Sequence, residues 1–249
     1  MSDQDAPPLL SVDGVTKSFA GLHALTEVDV AVPPGRITAV IGPNGAGKTT
    51  LFNVIAGAMT PDSGRVVFDG TDITGWPAHR VAGGGIARTF QLMKPFESLS
   101  VRDNVLVAAF QRSARRDEAT AAADAIVERV GLNRWAGQLA GELPTAGRKR
   151  LELARALALQ PKLLLLDEVL AGLVPAERAP VIELLREIRA SGMTMLLVEH
   201  VMAAVMALSD EIIVLHHGMV LAKGTPEEVT HDERVIEAYL GEEQLIAEA

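Results

Sequence analysis

The chain has 249 residues, no cysteine and a formal charge of −9. Disulfides and thiolate metal sites are thereby excluded, and the acidic balance argues against a broad nucleic-acid surface. That length permits one α/β domain with an inserted subdomain and a substantial core. Met1 to Pro8 is acidic and proline-bearing, with no basic region ahead of an apolar stretch, so it does not read as a secretory signal. Leu9 to Val15, Val28 to Val32 and Arg65 to Phe68 read as strands, with Pro33-Pro34-Gly35 and Asp69-Gly70 as turns.

Between these strands lies the most specific stretch of the chain. The apolar run Ile37 to Ile41 is followed by GPNGAGKTT at Gly42 to Thr50, and then by a helix-forming run, Leu51 to Ala58. Strand, G-x-x-x-x-G-K-[ST] loop and helix together define a phosphate loop. Glycines let successive backbone N–H groups turn inward around a polyphosphate. The helix start adds a partial positive charge and Lys48 a full one. Thr49 offers a hydroxyl to Mg²⁺. A glycine-rich turn that binds nothing is the bland alternative, and the strand and helix around the loop argue against it.

From Val101 to Gln160 the pattern turns helical. Val101 to Arg116, Glu118 to Val130 and Arg148 to Leu159 place apolar residues at helical spacing with no strand between them, which predicts an inserted helical subdomain. Strands return at Leu163 to Leu166, Thr194 to Val198, Ile212 to Leu215 and Met219 to Leu221. A helix at Ala176 to Ala190 separates the first two, and two short helices are expected from Pro226 to Gly241. Leu163 to Leu166 falls well short of the ~18 residues of a membrane span.

The strand Leu163 to Leu166 ends in Asp167-Glu168, which places two acids at the carboxyl edge of a parallel sheet. Alone, such a pair is more often a solvated loop. Beside a phosphate loop, the first acid suits Mg²⁺ and the second suits the orientation or deprotonation of an attacking water. His200 ends another apolar strand, expected beside the one bearing Asp167, where its imidazole would sense a γ-phosphate. His23, His79, His216, His217 and His231 carry no such positional signal.

The order of these parts resembles the ATPase subunit of an ABC transporter over nearly the whole chain. The resemblance implies an α/β fold: a phosphate-loop ATPase core with a mainly parallel sheet, an antiparallel β subdomain and an inserted helical subdomain. Residues 1–91 and 161–249 would form the core with its β subdomain and C-terminal tail, and 92–160 the helical subdomain carrying the signature segment. ATP and Mg²⁺ follow as cofactors, held by Gly42, Pro43, Asn44, Gly45, Ala46, Gly47, Lys48, Thr49 and Thr50. Phe19 matches the aromatic that stacks on adenine. Gln91 matches the glutamine that contacts Mg²⁺ and the attacking water and touches the membrane partner. Asp167, Glu168 and His200 match the Walker B acid, the catalytic acid and the switch histidine. More narrowly, GLHAL, TTLFNVIAG, GIARTFQ, RLELARAL and GTPEEV are similar to the branched-chain amino-acid importer branch, which also includes ATPases for urea and short amides.

Three places depart from the family pattern. The signature, normally LSGGQ at a helix start, stands as Leu143-Pro144-Thr145-Ala146-Gly147. In the family it binds the γ-phosphate held by a second subunit, through a serine hydroxyl and glycine N–H groups. Pro144 has neither hydroxyl nor N–H. Thr145 is expected to cap the helix and supply a hydroxyl one position later, with Ala146 and Gly147 contributing N–H groups. Arg148, Lys149 and Arg150 then fill the helix's first turn, either facing an anion or forming a solvated basic face. Val169 replaces the usual proline, and Ala171 to Val174 lacks the Asp or Asn that links the two nucleotide sites.

The implied partners are membrane permease subunits, a second ATPase subunit (identical or related) and, indirectly, an extracytoplasmic substrate-binding protein. Nucleic acid is not among them. The chain is expected as a peripheral subunit at the cytoplasmic face of the inner or plasma membrane. With the signature altered, hydrolysis at the two sites is expected to be unequal. Leu92, Met93, Pro95, Phe96 and Leu99 form an apolar cluster that reads equally as a permease groove or as core. Gly83-Gly84-Gly85 reads as a pivot or as a helix stop. Two other functions share these motifs: an ATPase for export or lipid extraction, and a nucleotide-gated regulatory module with a non-membrane partner.

Overall fold

A computed structural model of the protein describes residues 7–89 and 95–239. Gln91, Leu92 and Met93 lie outside the described residues.

Three apolar strands set the architecture. In β3 (Ile37–Ile41), β7 (Leu163–Asp167) and β8 (Thr194–Val198) every residue is buried. Strands without a wet face belong in a parallel sheet covered on both sides. They form one here with β6 (Ile86–Arg88), β9 (Glu211–His216) and β10 (Met219–Gly224), in the order β10-β9-β3-β8-β7-β6. All neighbours run parallel except the edge pair β9 and β10. Val40 and Asp167 both pair with Val198, so the carboxyl ends of β3, β8 and β7 lie level. That register brings the segments after Ile41, Asp167 and Val198 to one edge.

The two faces of the sheet are covered differently. α1 (Lys48–Ile55) buries Leu51, Phe52 and Ile55 among Leu163, Leu165, Leu196 and Val198 on one side. The same cluster takes in Leu10, Val12 and Leu25 from a second, antiparallel sheet of β1 (Leu10–Phe19), β2 (Leu22–Val32), β4 (Ser63–Phe68) and β5 (Thr71–Asp72). Leu164, Leu166, Met195 and Leu197 point the opposite way. They meet α3 (Val101–Ala109), α4 (Arg116–Arg129), α5 (Thr145–Ala158) and α6 (Pro175–Ala190). The period-two alternation of a strand thus splits the leucine run between two cores.

Among the described residues, α3, α4 and α5 with two short 3₁₀ turns fill the chain between β6 and β7. Ser100 caps α3, its hydroxyl accepting the Asp103 N–H at 3.0 Å. The buried side chain of Asn104 accepts the Phe96 N–H and donates to the carbonyls of Phe96 and Ser100, which fastens the preceding loop.

Several elements differ from the sequence expectations. β1 and β2 extend to a two-residue turn at Ala20 and Gly21, both with positive φ, the geometry that matches hairpin twist. α2 (Ala78–Gly84), β6 and α7 (Met202–Leu208) were not predicted. α3 ends at Ala109 rather than Arg116, and α4 starts at Arg116, ahead of the expected Glu118. Gly83 and Gly84 lie within α2, and Gly85 ends it with φ 114 and its N–H on the Ala82 carbonyl, so the glycine run is a helix stop. The expected tail helices are α8 (Pro226–Thr230) and a helical stretch over 233–239.

Gly42 shows how tightly the loop after β3 is built. Its φ is +148, and a Cβ there would lie 2.0 Å from the Leu215 carbonyl oxygen on β9. Gly42→Ala is expected to destabilise the fold by at least about 1–3 kcal/mol, lowering Tm by several degrees. Gly83→Ala, where an added Cβ meets nothing within 4 Å, should be neutral or slightly stabilising. Thermal denaturation of the two variants side by side checks the contrast.

Candidate functional site

The phosphate loop is anchored on three sides. The Ala46 N–H donates to the Pro43 carbonyl at 3.2 Å, and the Gly218 N–H donates to the Ala46 carbonyl at 3.1 Å. Gly218, in the β9–β10 turn, in turn accepts from the Thr26 N–H at 2.8 Å. Gly47, with φ +104, lies where a Cβ would meet the Ala24 carbonyl at 2.4 Å. Lys48 is buried, and its ammonium donates to the carbonyls of Gly42 at 2.6 Å and Pro43 at 2.7 Å. Asn44 and Gly45 are exposed at the loop's tip, Thr49 is exposed, and Thr50 is half-buried. A cleared backbone, a lysine curled over it and a free-facing hydroxyl fit a polyphosphate.

Asp167 ends β7 only 3% exposed, so its charge needs a partner. Arg88, at the end of β6, supplies one: its Nη2 donates to Asp167 at 2.8 Å while Nη1 donates to Asn53 on α1 at 2.6 Å. The Asp167 N–H donates to the hydroxyl of buried Thr89 at 3.1 Å. Arg88 is the residue the sequence reading missed. The signal was a lone cation closing the short run beside the strand that carries Asp167. Among the described residues no cluster of three or more His, Cys, Asp or Glu side chains could hold a metal ion. Mg²⁺ characteristically takes one or two protein oxygens together with substrate phosphates, and Thr49 with Asp167 fits that mode.

Glu168 follows immediately and is held from several directions. Its φ of 49 is unusual for a residue other than glycine. Its N–H donates to the Val198 carbonyl at 2.9 Å, and its carboxylate lies 2.6 Å from His200 Nε2. His200 is about half-exposed, whereas Glu168 is mostly covered. Glu199, 2% exposed, turns inward and accepts the Leu170 N–H at 2.7 Å. Burial pushes the Glu199 carboxyl above its ordinary range, against the Leu170 and His200 N–H groups and the Lys149 charge. Burial likewise lowers the Lys149 ammonium, opposed by Glu199, Glu168, Asp167 and Glu152.

The signature segment differs from expectation. Pro144, not Thr145, is the N-cap of α5: its ψ of 163 is extended, it makes no side-chain cap bond, and its carbonyl accepts the Arg148 N–H at 2.9 Å. Thr145 is therefore the first helical residue, and it is exposed. Ala146 is half-buried, while Leu143 and Gly147 are buried. A Cβ on Gly147 would lie 3.3 Å from the Leu143 side chain and 3.4 Å from Pro144, so the glycine serves packing. The three cations do not form a solvated basic face: Lys149 is buried, Arg148 and Arg150 are half-buried, and each donates to a backbone carbonyl. Arg148 donates to the carbonyls of Leu143 and Gly141, Lys149 to that of Glu168, and Arg150 to that of Val130 at the end of α4.

Phe19 stands 44% exposed at the β1–β2 tip, with Lys17 Nζ 5.8 Å from its ring centroid. Val174, where the family has Asp or Asn nearby, is an exposed N-cap of α6, and Glu177 reaches back to accept its N–H at 3.2 Å. Pro95, Phe96 and Leu99 are half-buried or exposed, so this part of the apolar cluster is not core.

Residues 25–171 match the family described as "ABC transporter". The chain belongs to the ABC transporter family. Residues 219–244 also match "Branched-chain amino acid ATP-binding cassette transporter". The high-affinity branched-chain amino acid transport ATP-binding protein BraF of Pseudomonas aeruginosa is 40% identical, over 94% of this chain and 98% of its own length. LivG of Escherichia coli, with the same description, is 41% identical over 94% and 98%. Among solved structures, a nucleotide-free ATP-binding cassette from an ABC transporter has a TM-score of 0.85 at 31% identity, covering 93% of this chain and 98% of that one. The ADP conformation of an ATP-binding cassette of an ABC transporter has a TM-score of 0.85 at 30% identity, over 95% and 100%. This ABC protein is thus the ATP-binding, ATP-hydrolysing subunit of a transporter, homologous to branched-chain amino-acid importer ATPases. Among its described residues no helix is long and apolar enough to cross a membrane.

The raised Glu199 carboxyl has a measurable consequence. The folded ABC subunit holds that proton more tightly than the unfolded chain, so the associated stability is present below the ordinary carboxyl range (~4.3) and lost as pH rises through the elevated value. Glu199→Gln keeps an oxygen acceptor for Leu170 without that charge. Its urea midpoint relative to wild type should rise as pH climbs above the ordinary carboxyl range. A relative midpoint that falls instead would show that the buried charge is net stabilising.

Proposed function

We propose that this subunit hydrolyses ATP to drive import of branched-chain or other small amino acids or amides through a separate membrane permease, as a peripheral protein at the cytoplasmic face. The match of residues 219–244 to the branched-chain amino-acid cassette carries the choice of cargo class. The names of the homologues favour import over export or lipid extraction, and over a regulatory module.

In this reading, residues 1–91 and 161–249 form the ATPase core with its antiparallel β subdomain and tail, and 92–160 form the helical subdomain. The Gly42 to Thr50 loop cradles the phosphates, with the Lys48 charge over the loop and Phe19 against adenine. Thr49 and Asp167, with Gln91, hold Mg²⁺, which screens the phosphate charge when bound. Glu168 orients and deprotonates water, and His200 holds the Glu168 carboxylate at its working position while sensing the γ-phosphate. A base serving water must sit at a fixed distance from it, and the 2.6 Å contact with His200 supports that role. A permease helix would dock over the apolar residues that follow Gln91, among them the exposed Phe96, with one of its side chains entering the depression of about 220 Å³ lined by Arg88, Phe96, Asn104, Glu152 and Arg155. A substrate-binding protein outside the membrane would deliver the cargo.

The exposed Thr145 at the start of α5 would complete a nucleotide site on a second ATPase subunit, identical or related. With a proline where the family has serine, that site is the weaker one, and hydrolysis is unequal between the two.

Two measurements test this. Glu168→Gln keeps size and hydrogen bonding without a basic oxygen. It should bind ATP yet lose turnover by about 10²-fold or more, and Mg·ATP should then drive it into dimers visible by light scattering. Undiminished hydrolysis would remove Glu168 from its role. Lys48→Ala in this chain and the matching change in its partner ATPase should lower turnover unequally; equal losses would count against the asymmetry.

A further inference from the structure

We propose that Lys149 is a positioning residue for Glu168, tying the backbone of the hydrolytic acid to the helix that carries the signature segment. The inference rests on the role of Glu168 proposed above. A residue with a side chain in the left-handed region costs on the order of 1–3 kcal/mol and persists only when its surroundings over-determine it. Glu168 is in that region, with φ 49. Two of its attachments come from β8 and the residues after it: the Val198 carbonyl and His200. A third is local, the Ala171 N–H donating to the Glu168 carbonyl at 3.1 Å, and a fourth comes from another layer. Lys149 Nζ, on α5, donates to the Glu168 carbonyl at 2.8 Å.

The cost of placing an ammonium there argues that it has a specific use. Lys149 is 7% exposed, on a helix whose buried face is otherwise made largely of Leu151, Leu153, Ala154, Leu157 and Ala158. For packing alone, an apolar side chain of similar volume would serve at least as well. A cation at this position does two things an apolar residue cannot. It fixes the orientation of the peptide that follows Glu168, and it places positive charge among Asp167, Glu168 and Glu199, three acids on one sheet edge.

Lys149 lies four positions after Thr145 on the same helix, about 6 Å along its axis. Any shift of α5 relative to the sheet therefore reaches the Glu168 peptide through one hydrogen bond. The signature helix of this subunit would then be mechanically linked to the acid of its own nucleotide site.

The test compares Lys149→Met, Lys149→Arg and Glu168→Gln in the intact subunit, measuring kcat and KM for ATP, the Kd of a fluorescent ATP analogue, and Tm. Lys149→Met should lower kcat about tenfold or more with Kd within about twofold of wild type. Lys149→Arg, which keeps charge and donors, should recover most of that loss. The double variant Lys149→Met/Glu168→Gln should be no slower than Glu168→Gln alone, because Lys149 acts through Glu168. Unchanged kcat in Lys149→Met overturns the proposal, and so does a parallel loss of Kd and Tm that arginine does not rescue. Should Lys149→Met fail to fold, Lys149→Gln, whose amide stops one bond short, takes its place; equal kcat for the glutamine and arginine variants overturns the proposal. Wild-type turnover in Glu168→Gln would refute the role of Glu168 itself, whereas a silent Glu168→Gln beside a fully active Lys149→Met refutes only the part assigned to Lys149.

Discussion

The level register of β3, β8 and β7 is the constraint on which the site depends. Val198 faces both Val40 and Asp167 across the ladder, so the phosphate loop, the acid pair and His200 leave the sheet at the same height. A slip of one residue would reverse the faces of the leucine run and move Asp167 away from the loop. The leucines of β7 divide between two separate cores, and each core resists such a slip. Chemistry at this edge is therefore held in place by burial of side chains that never touch nucleotide.

Charge is handled at the same edge by pairing rather than exposure. Asp167 meets Arg88, and Glu168 meets His200. Glu199 accepts a backbone N–H, and Lys149 donates a hydrogen bond to a carbonyl. Each of these charged side chains is supplied with a partner, as a low-dielectric site requires. The pairing also couples elements that are distant in sequence. Arg88 joins β6 to α1 and β7, and Lys149 joins α5 to the segment after β7. These links cross from layer to layer, so motion of one layer is felt at the acids.

Much of this was legible in the chain. The apolar runs of β3, β7 and β8 are long, bounded and unbroken, and motifs at their ends declared the phosphate loop, Asp167, Glu168 and His200. What escaped were short or composite features. β6 has three residues, too few for periodicity to register, and α2 contains glycines that speak against a helix. Arg88, Glu199 and Lys149 were invisible as site residues because their partners are non-local. A lysine in a helix's first turn carries no mark that it will meet a carbonyl 19 residues away. Thr145 was misplaced by one position because capping preference favours threonine, whereas the extended backbone at Pro144 decided where the helix begins.

That one-residue displacement bears on how the altered signature works. With Pro144 as N-cap, the first free N–H of α5 belongs to Thr145, and the hydroxyl lies on the same exposed residue. Gly147 is committed to packing against Leu143 and Pro144. The surface offered to a phosphate is thus narrower than the serine and two glycines of the usual motif, resting on Thr145 and half-buried Ala146. The helix dipole still favours an anion there. The nearby cations do not add to it, because Arg148 and Arg150 are turned to backbone carbonyls and Lys149 to Glu168. Under the proposed function, a weaker grip on the opposing nucleotide beside a regular phosphate loop and acid pair would let this subunit's own site hydrolyse while the site it completes did so less.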